Sequence, residues 1–251
     1  MLYKRFTIPF DSGKRALAIQ VPLAFEPEGL AGLLNLTAYR GAVAVVGGAE
    51  KFDTPEYARQ RQAAFQILRE VAALAARENL VFIDGGTPYG AVRLLARACS
   101  ELGSDSPPLV GVAPLGLVRW PGCSPGSCGE TDLDATHSAF ILVEADRWGA
   151  ESDMLAAVAY SLSSGRPAVE LLINGGDVAR RDADAFLRRG GNLVVLEGSG
   201  RFADQLAGAV RAGYSDDPGI QVQLTSGRLH VKSVDTPPLE FVAWLEKLAG
   251  W

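Results

Sequence analysis

A chain of 251 residues, 48% hydrophobic and 21% charged, holds enough apolar side chain for one sizeable core, and its formal charge of -5 opposes binding to nucleic acid. No apolar run reaches membrane-spanning length. The N-terminus MLYKRFTIPFDSGKR lacks the apolar stretch and small-residue cleavage site of a secretory signal, so a cytoplasmic protein without membrane contact is expected.

In chain order, residues 1–24 contain two alternating stretches, KRFTIPF and RALAIQVP, expected as strands of a small flanking sheet. From residue 41 the pattern changes. Short apolar runs, AVAVVGG, LVFIDGG, LVGVAP, AFILVEA, AVELLINGG and LVVLEGSG, carry almost no interior polar residue, as strands covered on both faces do. Helical patterns separate most of them. In TPEYARQRQAAFQILREVAALAARENL, Phe65, Leu68, Ala72 and Ala75 recur at helical spacing, with Thr54 as the expected N-cap and Pro55 as the first helical residue. YGAVRLLARACSELG, ESDMLAAVAYSLSSG, DADAFLRRGG and FADQLAGAVRAG follow, each closing on glycine. The fold class is therefore α/β: a Rossmann-like parallel sheet with helices on both faces, plus small β additions from the terminal segments. GIQVQLTSGRLHVKSV, at 219–234, predicts a hairpin around Ser226 and Gly227, and PPLEFVAWLEKLAGW a closing helix with Leu239, Val242, Trp244 and Leu245 mostly inward.

Three cysteines form no disulfide framework. Cys99 falls inside a helix, while Cys123 and Cys128 lie in the loop RWPGCSPGSCGE, where they are expected as free thiols without the further ligands a metal needs.

Chemistry is expected along one edge. Gly47–Gly48, Gly85–Gly86, Gly175–Gly176 and Gly198–Ser199–Gly200 each follow a strand, and in a parallel sheet all those carboxyl ends face the same crevice. Bare backbone there lets amides approach a phosphate, helix N-termini favour anions, and Thr87 and Ser199 add hydroxyls. Arg201 stands at the wrong end of a helix dipole, which points either to an anionic ligand or to an i,i+3 pair with Asp204. GSGRFA also fits G-x-G-x-x-A, but it follows the sixth predicted core strand rather than the first, and Asp216 and Asp217 lie in a turn, so bound NAD for hydride transfer is not expected. Asp134, His137 and Ser138 allow a hydrolase triad on paper, yet no G-x-S-x-G elbow occurs, and His137 is expected to be satisfied by backbone where its strand begins. Glu151 is placed either to cap its helix or to hydrogen-bond a ribose, and Trp148 either packs or stacks on a base.

DGGTPYGAVRLLARA, VGVAPLG, LDATHSAFILVE, WGAE, LLINGGDV and LVVLEGSGRFADQLA, in this order, resemble the SLOG superfamily. The resemblance is strongest to the LSDAT branch, which includes the cytosolic N-terminal domain of melastatin-type TRP channels and stand-alone prokaryotic relatives. It implies one domain over 1–251, with a core at about 41–212, that binds a nucleotide-derived ligand such as ADP-ribose and takes part in signalling. Carried over residue by residue, it places Gly85, Gly86, Thr87, Trp148, Gly149, Glu151, Gly198, Ser199, Gly200 and Arg201 at the ligand; Gly47, Gly48, Ala113, Pro114, Asn174 and Gly175 complete the candidate set. The channel domains commonly carry a second histidine where this chain has Ala139 and an aromatic where it has Leu115. Phosphoribohydrolases of the same superfamily carry P-G-G-x-G-T-x-x-E, whereas DGGTPYGAV lacks the proline, the G-T spacing and the glutamate. Nucleotide hydrolysis is therefore the second reading, with Glu151 or Asp84 as the acid. A scaffold with a vestigial crevice is a weaker third. No further cofactor is expected. The sensor reading implies a separate effector protein or a homo-oligomer as partner.

Overall fold

Apolar runs with no solvent on either side build the centre of the molecule. The computed structural model describes residues 3–124 and 128–251. Strands β1 (Lys4–Pro9), β2 (Arg15–Val21), β3 (Gly41–Gly47), β4 (Leu80–Asp84), β5 (Leu109–Pro114), β8 (Ala139–Val143), β9 (Val169–Ile173), β10 (Asn192–Glu197) and β11 (Leu229–Ser233) form one sheet; β6 (Val118–Arg119) and β7 (Thr131–Asp132) pair separately. The order is β1-β2-β8-β5-β4-β3-β9-β10-β11, and every pairing except β1 with β2 is parallel. All five residues of β4, β8 and β9 are buried, as the apolar runs require.

Helices cover both faces. On one lie α2 (Ala58–Glu78), α3 (Gly90–Ser100) and α8 (Pro238–Ala249), with Phe65, Leu68, Leu95, Phe241 and Leu245 packed on Val43, Phe82 and Leu171. On the other lie α1 (Leu30–Leu33), α4 (Ser152–Leu162), α5 (Asp177–Arg188), α6 (Arg201–Ala212) and α7 (Pro218–Leu224), with Leu155, Phe186 and Leu206 packed on Ala44, Ile83 and Leu172. From β3 the chain steps outward to β4 and β5, and from β9, on its other side, to β10 and β11. That reversal opens a crevice beyond the carboxyl ends of β3 and β9.

Several expectations are corrected. The terminal strands form no separate sheet: β2 pairs in parallel with β8, and β11 with β10. No hairpin surrounds Ser226. Asp217 caps α7 instead, accepting from the Gly219 and Ile220 amides with Pro218 as the first helical residue, and β11 follows. The alternation in IQVQL imitated a strand, but the Asp-Pro start decides for a helix. Thr54 does stand at the N-cap and Pro55 at the first position, of a 3-10 turn (Pro55–Tyr57) that runs into α2, but the Thr54 hydroxyl donates back to the Lys51 carbonyl (2.9 Å) and makes no capping bond. Cys123 and Cys128 are joined as a disulfide rather than left as thiols. On α8, Val242 and Leu245 are buried and Trp244 half-buried, but Leu239 is exposed and Phe241 takes the inward position.

Candidate functional site

Backbone proximity comes first. A Cβ on Gly47 would lie 2.0 Å from the Ile173 carbonyl oxygen, and one on Gly90 would lie 1.7 Å from that of Gly48, so the turns after β3 and β9 and the start of α3 close on one another only without side chains. The Gly48 amide donates to the Ile173 carbonyl (2.9 Å) and the Ala91 amide to the Gly48 carbonyl (2.9 Å). Asp53 accepts from the Gly90 amide (2.9 Å), satisfying one of the free donors that start α3.

These turns surround a cavity of about 420 Å³ at the carboxyl edge. Of the candidate residues, Gly47, Gly48, Gly85, Thr87, Trp148, Glu151 and Arg201 line it. Trp148 is at its exposed rim. Gly175 lines an adjoining hollow of about 320 Å³ with Gly176, Asp177 and Arg180, and Arg201 borders both spaces.

The remaining candidates lie outside that lining. Ala113 is fully buried beside Phe140, and Pro114 pairs with Val143 at the end of its strand. Gly86 backs onto Gly111 and Phe140, and Gly149 onto the Arg181 side chain. The Ser199 hydroxyl, fully buried, is engaged within the protein: it donates to the Leu196 carbonyl (2.6 Å) and accepts from the Asn174 backbone amide (2.7 Å). The Asn174 side chain donates to the Ser199 carbonyl (2.8 Å), completing a clasp between the turns after β9 and β10. Gly198 is fixed by Asp204, which accepts from its amide (2.6 Å). Gly200 faces Tyr57 and the Asn174 amide.

That use of Asp204 decides between the two readings of Arg201. Asp204 is turned to Gly198, and Arg201 makes no ion pair or side-chain hydrogen bond among the described residues. Arg201 also has φ 52°, left-handed for a non-glycine residue, at a cost of roughly 1–2 kcal/mol. A strained, unpaired cation between two hollows is suited to an anion.

Asp84 is unsuited to act as an acid on a ligand, because it is fully buried outside the cavity lining. Its Oδ1 accepts from the Gly86 amide (2.7 Å) and lies 2.8 Å from His137 Nε2. On the other side of the ring, Nδ1 lies 3.2 Å from the Asp134 carbonyl, so His137 is satisfied by backbone and by a carboxylate. Burial opposes the imidazolium, but the charge and hydrogen bond of Asp84, with the Asp134 carboxylate 3.8 Å away, outweigh it and raise His137 to about 9. Burial also opposes the charge on Asp134, yet the His137 ring 3.8 Å from its carboxylate and the bonds it accepts from Thr136 hold it at about 2. Ser138 donates to the Leu109 carbonyl (3.1 Å) and forms no triad.

Glu151 occupies the N-cap position of α4 without a side-chain capping bond, so the capping reading fails. It is 4% exposed, its Oε2 has no partner, and burial, assisted by the charge of Asp182, lifts it to about 7. Sequence reasoning missed Asp182, which lines the same cavity and is also raised to about 7 by burial. It missed Glu170 too, fully buried on β9, with neither oxygen partnered and its acidity pushed well down by burial. Both had a signal: Asp182 sits in the apolar stripe of α5 beside Ala179, Ala183 and Phe186, and Glu170 interrupts an apolar strand.

A family model described as "SLOG in TRPM, prokaryote" matches residues 40–242. Among solved structures the fold is similar to that of the structural-genomics target TM1055, at 17% identity and TM-score 0.54 over 82% of this chain and 99% of that one. It is also similar to a molybdenum cofactor binding protein from the phototrophic bacterium Rippkaea orientalis, at 13% identity and TM-score 0.52 over 84% and 99%. The molybdenum cofactor carrier protein of Chlamydomonas reinhardtii is similar at 16% identity and TM-score 0.52 over 83% and 98%. At these identities the likeness is one of fold. No curated protein matches.

Proposed function

The chain belongs to the family of prokaryotic SLOG domains related to those of TRPM channels, and on that premise we propose that it binds a nucleotide-derived ligand, ADP-ribose or a related NAD product, in the cavity at the carboxyl edge. The carrying observation is Arg201, strained and without a partner among the described residues, beside turns of bare backbone. A pyrophosphate supplies the anion this arrangement lacks, with Trp148 at the rim available to a base. The ligand's presence is reported to a separate effector or through self-association.

Calorimetry on the full chain with ADP-ribose, cyclic ADP-ribose, NAD and AMP tests this. Two neighbours are described as binding or carrying the molybdenum cofactor, so that cofactor joins the panel. Arg201→Ala is expected to weaken binding by at least about tenfold with little change in melting temperature, since a charge-assisted hydrogen bond is worth roughly 1.5–3 kcal/mol. Arg201→Gly, which accepts a positive φ, should lose the same affinity while melting no earlier than the wild type. Unchanged affinity in both variants overturns the assignment.

One observation favours a second reading. An acid held near 7 in a cavity is suited to protonate a leaving group, and Glu151 is such an acid. Hydrolysis of an N-glycosidic bond would release free adenine from AMP and would be abolished in Glu151→Gln.

A further inference from the structure

The glycine turns and Arg201 account for an anionic part of a ligand but leave the acids of the same cavity unexplained. Glu151 and Asp182 are 4% and 6% exposed, both line the cavity, and they come from different elements, the start of α4 and the middle of α5. Glu151 Oε2 has no hydrogen-bond partner among the described residues. Asp182 is held on one side only, where the Ser152 hydroxyl donates to Oδ1 (2.5 Å). The cation acting on both is Arg181, whose guanidinium also donates to the Trp148 carbonyl (3.2 Å). Two buried carboxyl groups turned into a cavity with too few donors call for a ligand that brings donors.

We infer that Glu151 and Asp182 together receive the hydroxyl-bearing part of the ligand, accepting its hydrogen bonds as carboxylates and giving up a proton as it seats. This rests on the nucleotide reading above and assigns that ligand an uncapped vicinal diol. The bonds that form are ligand O–H to carboxylate oxygen; the proton leaving the carboxyl pair goes to buffer, and no covalent bond changes within the ligand. Burial holds both acids near 7 before such donors arrive, and hydrogen bonds to the ionised form lower that value.

The other charged or titratable groups around the pair do not supply the missing donors. Glu170 on β9 is a third buried acid, kept protonated by burial and by the charge of Asp182, and it adds no cation to the pair. On α4, Asp153 is paired with Arg188 (2.8 Å), and on β4, Asp84 is engaged by His137 (2.8 Å). Glu50, Lys51, Tyr89 and Arg201 line the cavity without a hydrogen bond to either acid.

Calorimetric titration of the full chain with ADP-ribose, whose pyrophosphate does not itself titrate near neutrality, gives the test. At about pH 6.5, the binding enthalpy in two buffers of different ionisation enthalpy should differ by the heat of close to one proton released. Affinity should rise about tenfold between pH 6 and pH 8. Glu151→Gln and Asp182→Asn should each abolish most of the proton release and weaken binding at least tenfold, with melting temperatures at pH 8 equal to or above wild type. An ADP-ribose analogue with methylated ribose hydroxyls should bind more weakly and release no proton. Equal enthalpies in the two buffers, or equal affinity for the methylated analogue, overturn this inference while the nucleotide reading stands. Failure of ADP-ribose to bind overturns both.

Discussion

Replacing His137 with leucine is expected to lower stability by about 3–5 kcal/mol, because it strands a buried aspartate whose charge has lost its partner. At about 2–4 °C per kcal/mol for a chain of this size, the melting temperature should fall by roughly 10 °C in a thermal scan. Asp84 is fully buried, its Oδ2 already lacks a hydrogen bond, and its Oδ1 is shared between His137 and the Gly86 amide. Adding Asp84→Asn to His137→Leu should restore part of the loss, because the carboxamide keeps an acceptor for Gly86 and carries no charge. If the double variant is as unstable as the sum of the two singles, the imidazolium–carboxylate pairing is not what stabilises this corner. The effect should reach the ligand as well. The Asp134 amide donates to the Gly86 carbonyl (2.9 Å), so the same group of residues holds the turn carrying Gly85 and Thr87 into the cavity.

Stability should also fall as pH rises through neutrality, with the melting temperature dropping roughly 10 °C between pH 5 and pH 8. The sign follows from the buried acids. Glu151 and Asp182 have folded-state values of about 7, above their ordinary carboxylate values, so their contribution is complete at acid pH, below those ordinary values, and is lost as pH rises through 7. Glu170 shifts in the same direction. His137, raised to about 9, contributes below its ordinary value of 6.5 and loses that contribution as pH climbs through 9, extending the decline. Asp134 acts oppositely: held at about 2, it contributes above its ordinary value and fails as pH falls toward 2. Maximum stability is therefore expected in mildly acid solution. Combining Glu151→Gln with Asp182→Asn should flatten the fall around pH 7 and leave the alkaline limb carried by His137. A flat curve in the wild type would show that the cavity acids stay ionised.

The parallel core could be read in advance because β3, β4, β5, β8, β9 and β10 are buried on both sides and therefore appear as apolar runs, broken within β9 by Glu170 alone. Pairing at the edges could not. Whether RALAIQV joins a separate hairpin or the main sheet depends on a partner more than 110 residues away, and its alternation fits both. Within the site, glycine after a strand is a local signal, so Gly47, Gly48 and Gly85 stood out, whereas the bond from Ser199 to Asn174 spans 25 positions and leaves no local trace. Asp182 was overlooked for a related reason. An acid among DADAFLRR reads as an ordinary surface helix until the stripe of Ala179, Ala183 and Phe186 shows which way it faces.

The Asn174–Ser199 clasp changes how a mutational scan of this protein would be interpreted. Ser199→Ala removes a buried hydroxyl whose bonds are all within the protein, yet it loosens the loop that holds Arg201 in its unusual backbone geometry. Assayed by affinity alone, such a substitution would be mistaken for the deletion of a ligand-binding group, and only amide-exchange rates in the loop at 198–201 would reveal that a support had been taken away.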